Sequence, residues 1–215
     1  MKKDISKLRT QYEGELLDEK KVNPDPLEQF KEWFNEALDS EITEPNAMIL
    51  ATATKSGIPS LRTVLLKNVE QKGFVFYTNY KSRKGQEIEE NPHVSVLFFW
   101  PQLQRQIRVA GILSKTDPAV SESYFKERPV ESRISAWVST QSHELSNKGE
   151  LEENYHIFET KYKDKEIPYP PFWGGYCLLP YAYEFWQGQP NRMHDRIEYN
   201  QDSETRDWLI RRLAP

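Results

Sequence analysis

The sequence predicts an α+β protein whose core is an antiparallel sheet or barrel. Three observations carry this expectation: short apolar-alternating segments recur from Ala47 onward, Gly-containing turns join neighbouring segments, and helices are inserted between strands without strict βαβ alternation. With 215 residues the chain can bury a sizeable core, and an aromatic share of 13% excludes disorder over most of its length. The apolar runs are short, such as Val96 to Trp100, whereas a membrane-spanning helix needs ~20 apolar residues. No membrane association is expected. The first residues lack the apolar run of a secretory signal, and Cys177, the one cysteine, can form no internal disulfide, so a cytoplasmic location is expected. A net charge of −4 argues against a general nucleic-acid binder, because such domains carry a basic excess.

The first helix is announced by Asn23-Pro24-Asp25-Pro26: Asp25 can cap, Pro26 suits the first helical position, and Glu28 stands three residues after the cap. Leu27, Phe30, Phe34 and Leu38 then mark a face that packs on a core. The preceding segment is charged and weakly periodic, and residues 1–21 read as a mobile arm with some helix, leaving 22–215 as a single domain. Strands are expected at Met48 to Thr54, Ser60 to Val69 and Phe74 to Thr78, with turns at Lys55-Ser56-Gly57 and Gln71-Lys72-Gly73. A short helix from Ser82 stops at Asn91-Pro92; strands follow at Val94 to Trp100 and Gln104 to Lys115. Asp117-Pro118 opens a helix to about Arg128, and Leu151, Tyr155, Phe158 and Tyr162 lie on one face of another. The tail returns to strands at Tyr176 to Leu179, Tyr183 to Trp186, Arg192 to Tyr199 and Trp208 to Arg211.

Candidate chemistry is carried by local clusters of cations. In Arg192-Met193-His194-Asp195-Arg196, read as a strand, Arg192, His194 and Arg196 share one face, with the outer pair ~13 Å apart. Such a row suits a flat anionic ligand, with Trp186 and the Gly188 to Pro190 turn beside it; a solvated strand face is the plain alternative. In Tyr77 to Lys84 a strand end runs into a helix start carrying Arg83 and Lys84, where cations oppose the helix dipole unless phosphate reverses the local charge. Screened charges at a solvent-facing helix start would read the same way. Arg62 and Lys67 bracket a strand expected to be otherwise buried, on opposite faces if it is regular. Tyr124, Arg128 and Ser132 could offer hydroxyls and a guanidinium to a second phosphate, but Pro129 between them calls for a bend. The four histidines show no metal-ligand spacing, so no metal site is expected. Cys177 reads as a small packed hydrophobe. There is no dinucleotide-binding glycine fingerprint, Walker loop or serine-hydrolase elbow, so a nucleotide would have to be held by other means.

Taken in order, Arg62 to Lys67 (RTVLLK), Phe76 to Lys84 (FYTNYKSRK), Gln141-Ser142, Phe172 to Gly175 (FWGG), Glu184 to Gly188 (EFWQG), Arg192 to Arg196 (RMHDR) and the ending Arg212 to Pro215 resemble the pyridoxamine (pyridoxine) 5′-phosphate oxidase family from about Leu8 to Pro215. The resemblance implies an FMN-binding split β-barrel of Greek-key type with flanking helices. It implies a homodimer with flavin sites at the subunit interface, and oxidation of pyridoxamine and pyridoxine 5′-phosphates by O2. Arg62, Thr63, Val64, Leu65, Leu66, Lys67, Tyr77, Thr78, Arg83, Lys84, Gln106, Gln141, Ser142, Trp186 and Arg196 match positions that hold FMN. Lys67, Tyr124, Arg128 and Ser132 match the clamp on the substrate phosphate. Arg192 and His194 match catalytic groups against the pyridine ring, and Arg9 and Tyr12 a mobile lid over the substrate. Met193 stands where Leu is usual, and Glu44 near where an Asp is expected. A split-barrel flavin binder with different or no oxidase activity is the alternative.

Overall fold

The computed structural model describes residues 4–8, 10–70 and 73–215; Arg9 and two residues of the expected Gln71-Lys72-Gly73 turn lie outside them. Five α-helices and nine β-strands are found among these residues: α1 (Pro26–Leu38), β1 (Ala47–Ala53), β2 (Pro59–Leu65), β3 (Asn68–Glu70), β4 (Gly73–Asn79), α2 (Arg83–Glu90), β5 (His93–Trp100), β6 (Arg105–Lys115), α3 (Pro118–Glu127), α4 (Val130–Val138), α5 (Lys148–Lys161), β7 (Trp173–Gln187), β8 (Asp195–Gln201) and β9 (Trp208–Arg212). The strands join in the order β2-β1-β5-β6-β7-β4-β3, with β8 beside β7 and β9 beside β8. The pairs β3·β4, β4·β7, β7·β8 and β8·β9 are antiparallel, giving the curled sheet with flanking helices of a split barrel.

The chain divides into two compact units. The first comprises Met1–Ile49, Ser95–Ala110 and Pro180–Pro215. Its core holds Phe30 and Trp33 of α1 with Phe98 and Phe185; the Trp33 and Phe185 rings meet edge to face at 5.3 Å. Asp25 caps α1 by accepting from the Leu27 N–H at 2.8 Å. Glu28 does not complete a capping box but pairs with Lys31, and Asn23 Oδ1 takes the Asp25 N–H instead. The buried face of α1 is Pro26, Gln29, Phe30, Trp33 and Ala37, rotated from the expected one; Leu38 is exposed. Trp33 lies on that buried face, with the Arg105 guanidinium 4.4 Å from the centre of its ring.

The second unit comprises Leu50–Val94 and Gly111–Leu179. The strand expected from Ser60 to Val69 is interrupted here at Leu66-Lys67, where the Lys67 N–H turns to Val75 O at 2.8 Å and β3 takes β4 as its partner. β7, expected as two strands, is continuous: residues 173–178 pair with β4 and residues 182–187 with β8. Pro180 falls in the gap between those two registers. The bend expected at Pro129 is present, and a helix that the periodicity did not announce, α4, follows it. Cys177 is buried on β7. Among the described residues no helix is long and apolar enough to cross a membrane.

Candidate functional site

A cleft of about 560 Å3 opens within the second unit. One end is built by the start of α2. Ser82 caps this helix, its Oγ accepting from the Gly85 N–H at 3.3 Å and donating to Asn79 O at 2.7 Å. Gly85 permits the tight entry, since a Cβ there would stand 2.0 Å from Tyr80 O. Lys84 is thereby turned inward and is only 9% exposed. Its ammonium reaches Gln141 Oε1 at 2.9 Å and Thr78 Oγ1 at 3.2 Å, both neutral. Burial, and next the nearby Arg62 charge, lower its pKa to about 8. A buried cation held only by neutral acceptors is suited to an anion.

The other end is built by α3, the bend at Pro129 and α4. Tyr124, Arg128 and Ser132 all line the cleft, joined by Lys67 from the β2–β3 crossing. Arg128 closes α3 in an extended conformation, so the chain turns before α4 and the three side chains converge despite the proline. Its Nη1 is buried without a hydrogen-bond partner among the described residues, and burial holds the guanidinium below its ordinary pKa. The wall between is aromatic: Tyr77 stacks on Tyr124 at 3.9 Å and on Trp173 at 5.3 Å. Burial, then the Tyr124 neighbour, push the Tyr77 phenol up to about 12, so it stays a hydroxyl at neutral pH.

Of the residues singled out for FMN, Thr63, Val64, Leu65, Lys67, Tyr77, Thr78, Lys84 and Gln141 also line this cleft. Leu66 is buried, Ser142 is exposed at φ 71°, and neither lines it. Nor do Arg62 and Arg83, which converge on the Glu87 carboxylate at 3.0 and 2.9 Å. Sequence reasoning assigned no role to Trp173, Ser135, Ser139 or Glu87. The FWGG motif and the Arg83–Glu87 spacing of four were the available signals for two of them.

In the first unit the expected row of Arg192, His194 and Arg196 on one strand face is not formed. Asn191 and Arg192 are left-handed, with φ of 57° and 62°, and β8 begins only at Asp195. The turn is closed by the Met193 N–H on Pro190 O at 3.1 Å and the Gln189 N–H on His194 Nδ1 at 3.1 Å. Because that amide donates to Nδ1, the neutral imidazole carries its proton on Nε2. His194 lies 4.7 Å from the Trp186 ring and 5.4 Å from Tyr12, with Arg192 exposed nearby in sequence. Tyr12 sits so close to Gly188 that a Cβ there would be 2.8 Å from its ring. Arg196 forks onto Glu184 through Nε and Nη2, each at 3.1 Å. Gln106 is half-buried on β6.

Residues 34–163 match the family model described as pyridoxamine 5′-phosphate oxidase. The chain belongs to the pyridoxamine 5′-phosphate oxidase family. Residues 173–215 match a second model, the pyridoxine 5′-phosphate oxidase C-terminal dimerisation region. Proteins named pyridoxine/pyridoxamine 5′-phosphate oxidase from Paraburkholderia phymatum and a Cyanothece strain are 49% and 47% identical, each over 98% of this chain and 99% and 98% of their own. Membership makes the chain one of a family of oxidoreductases. Among solved structures, PhzG from Burkholderia lata in complex with tetrahydrophenazine-1-carboxylic acid is similar with a TM-score of 0.89 and 28% identity, over 96% of this chain and all of that one. A family-related FMN-binding protein from Nostoc punctiforme, 17% identical with a TM-score of 0.69 over 86% of this chain and 97% of its own, shares the fold.

Proposed function

We propose that this protein binds FMN and oxidises pyridoxamine 5′-phosphate and pyridoxine 5′-phosphate to pyridoxal 5′-phosphate in vitamin B6 metabolism. Oxygen is the electron acceptor and leaves as hydrogen peroxide; the amine substrate also takes up water and releases ammonia. The observation that carries this reading is the pairing, in one cleft, of the buried Lys84 and the half-buried Arg128, whose Nη1 is buried, neither with a carboxylate in direct contact among the described residues. Two phosphorylated ligands lying along an aromatic wall would use both.

The residues present fit a flavin mononucleotide: Lys84, Thr78 and Gln141 already converge on one another, and a phosphate would supply the anion that the buried ammonium lacks. Bound flavin supplies a two-electron acceptor that oxygen regenerates. The chain's own work is placement and charge. Lys67, Tyr124, Arg128 and Ser132 grip the substrate phosphate; Arg192 and His194 bear on the pyridine ring, His194 as a neutral hydrogen-bonding group. Arg9 and Tyr12, on the arm of residues 1–21, close over the substrate. Arg62, Arg83, Gln106, Ser142, Trp186 and Arg196 complete the flavin set. The working form is a cytoplasmic homodimer with flavin sites between subunits, a reading supported by the match to the dimerisation region.

The test is an absorption spectrum of the purified protein with analysis of what it releases on denaturation. We expect a yellow protein yielding about one FMN per subunit, and peroxide production with pyridoxamine 5′-phosphate. A protein that neither carries nor takes up FMN overturns the reading. One that holds FMN but leaves both phosphorylated substrates untouched is instead a flavin binder of different activity.

A further inference from the structure

We propose that Trp173 is a positioning residue that holds the Arg128 guanidinium against its ring, at the cleft wall, with the unpaired Nη1 left for an anion. The inference rests on the function proposed above and adds to it the residue that presets the phosphate grip. The Arg128 guanidinium lies 4.7 Å from the centre of the Trp173 ring, while its buried Nη1 has no hydrogen-bond partner among the described residues. A cation held through the face of an aromatic ring keeps its N–H donors for other partners, because the ring offers no hydrogen-bond acceptor in their plane. An ion pair with a carboxylate would fix the same group equally well but would consume the donors and cancel the charge.

Trp173 can serve as a platform because its own ring cannot turn. It is 6% exposed and runs nearly parallel to Tyr77 and Tyr124, with interplanar angles of 11° and 6°. Phe125 meets it edge-on at 5.4 Å and Tyr169 at 6.4 Å. The indole is therefore stacked on one set of rings and wedged by another. Arginine loses much side-chain freedom when it binds an anion, and a platform that has already removed that freedom leaves less to be lost.

The proposal separates from a purely structural role by a double-mutant cycle on phosphate affinity. Calorimetric titration with inorganic phosphate, on protein with its flavin retained, is the readout that needs no turnover. Trp173→Phe keeps a smaller face, and Trp173→Leu keeps bulk without a π-system. We expect phosphate affinity to fall about threefold in the first and about tenfold in the second. In an Arg128→Ala background neither substitution should weaken phosphate further, since the group they act through is gone. In turnover the loss should appear as a raised KM for pyridoxamine 5′-phosphate and not for the unphosphorylated amine.

Equal affinity in wild type and either variant overturns the proposal, as do losses that add to that of Arg128→Ala. If the leucine variant does not fold, the cycle with phenylalanine decides alone. A wild-type protein that binds phosphate through Arg128 and Trp173 yet oxidises neither substrate would defeat the functional reading while leaving this one standing.

Discussion

Arg62 and Glu87 form a 3.0 Å ion pair in which both side chains are withdrawn from water, 20% and 5% exposed. Glu87 also accepts hydrogen bonds from Thr52 and Ser60, and from Arg83 Nε at 2.9 Å. Burial alone would raise its pKa; the hydrogen bonds from Ser60, Thr52, Arg83 and Arg62 outweigh that and bring it down from 4.5 to about 2. One carboxylate thus ties β1, β2 and α2 together beneath the helix start that carries Lys84.

A folded-state pKa below the unfolded one means that the unfolded chain binds the extra proton first as acid is added. The contribution of Glu87 is therefore complete above about pH 4.5 and is lost as the pH falls toward about 2. Glu87→Gln should destabilise the protein by on the order of 3 kcal/mol near neutrality, with the gap to wild type closing across that window. Urea unfolding at a series of pH values measures this. A gap that stays constant from pH 6 to below pH 3 would show that the carboxylate charge is not the source.

Lys84 predicts the opposite kind of pH dependence, in binding. With its pKa near 8, the free protein loses this cation in mildly alkaline solution, and a phosphate ligand must then bring a proton with it. FMN affinity should be level below about pH 8 and fall by up to about tenfold per unit above it, as the flavin phosphate is already a dianion there. Lys84→Met should bind more weakly and without that slope. Quenching of FMN fluorescence from pH 7 to 9.5 is the measurement; a level wild-type profile would remove Lys84 from the phosphate contact.

The site was partly legible because some of its geometry is local. Ser82 three residues before Gly85, and a basic pair at a helix start, can be read along the chain, and the structure turns Lys84 inward there. The Arg192 to Arg196 row misled for a physical reason. Alternation assumes extended backbone, and nothing in the pattern tells that Arg192, a residue with a Cβ, takes a positive φ after Asn191. Glu87 was hidden among Glu89 and Glu90 in an acidic helix, and only the fold gives it Arg62 as a partner. Trp173 was visible as part of FWGG, but its relation to Arg128 spans 45 positions and no periodicity reports it.

Arg212 is one anchor of the segment that carries Tyr12, beside the Gly14 N–H on Gly188 O at 3.2 Å, the Glu13 N–H on Gln104 Oε1 at 2.8 Å and the Gln189 Nε2 donation to Glu15 O at 2.8 Å. Arg212 reaches Glu19 Oε2, Leu17 O at 2.6 Å and Asp195 Oδ1 at 2.5 Å, and the Leu17 N–H donates to Asp195 Oδ2 at 3.1 Å. Leu17 is buried, so the contact is more than a surface ion pair. Arg212→Leu should free the segment before Asp18, seen as limited proteolysis there at least about tenfold faster than in wild type while the core resists. Unchanged cleavage would mean that Leu17 and the bonds of Glu13, Gly14 and Glu15 hold the segment without Arg212.

Arg192 offers a case in which function and stability should part. Its φ of 62° follows Asn191 at 57°; two successive left-handed residues are tolerable for Asn and costly for Arg. Glycine takes this conformation freely, so Arg192→Gly should stabilise the protein by about 1 kcal/mol in urea unfolding. The same change removes the guanidinium that the proposed function sets against the pyridine ring, so kcat/KM should fall by more than about tenfold. Arg192→Lys separates the two effects. It keeps the strain and the charge but not the plane, so stability should match wild type while the loss of efficiency persists. The defect should show in anaerobic single turnover, as slower bleaching of flavin absorbance by pyridoxamine 5′-phosphate. A glycine variant of unchanged stability would mean that the turn is not strained, and a lysine variant of wild-type rate would reduce the role of Arg192 to charge alone.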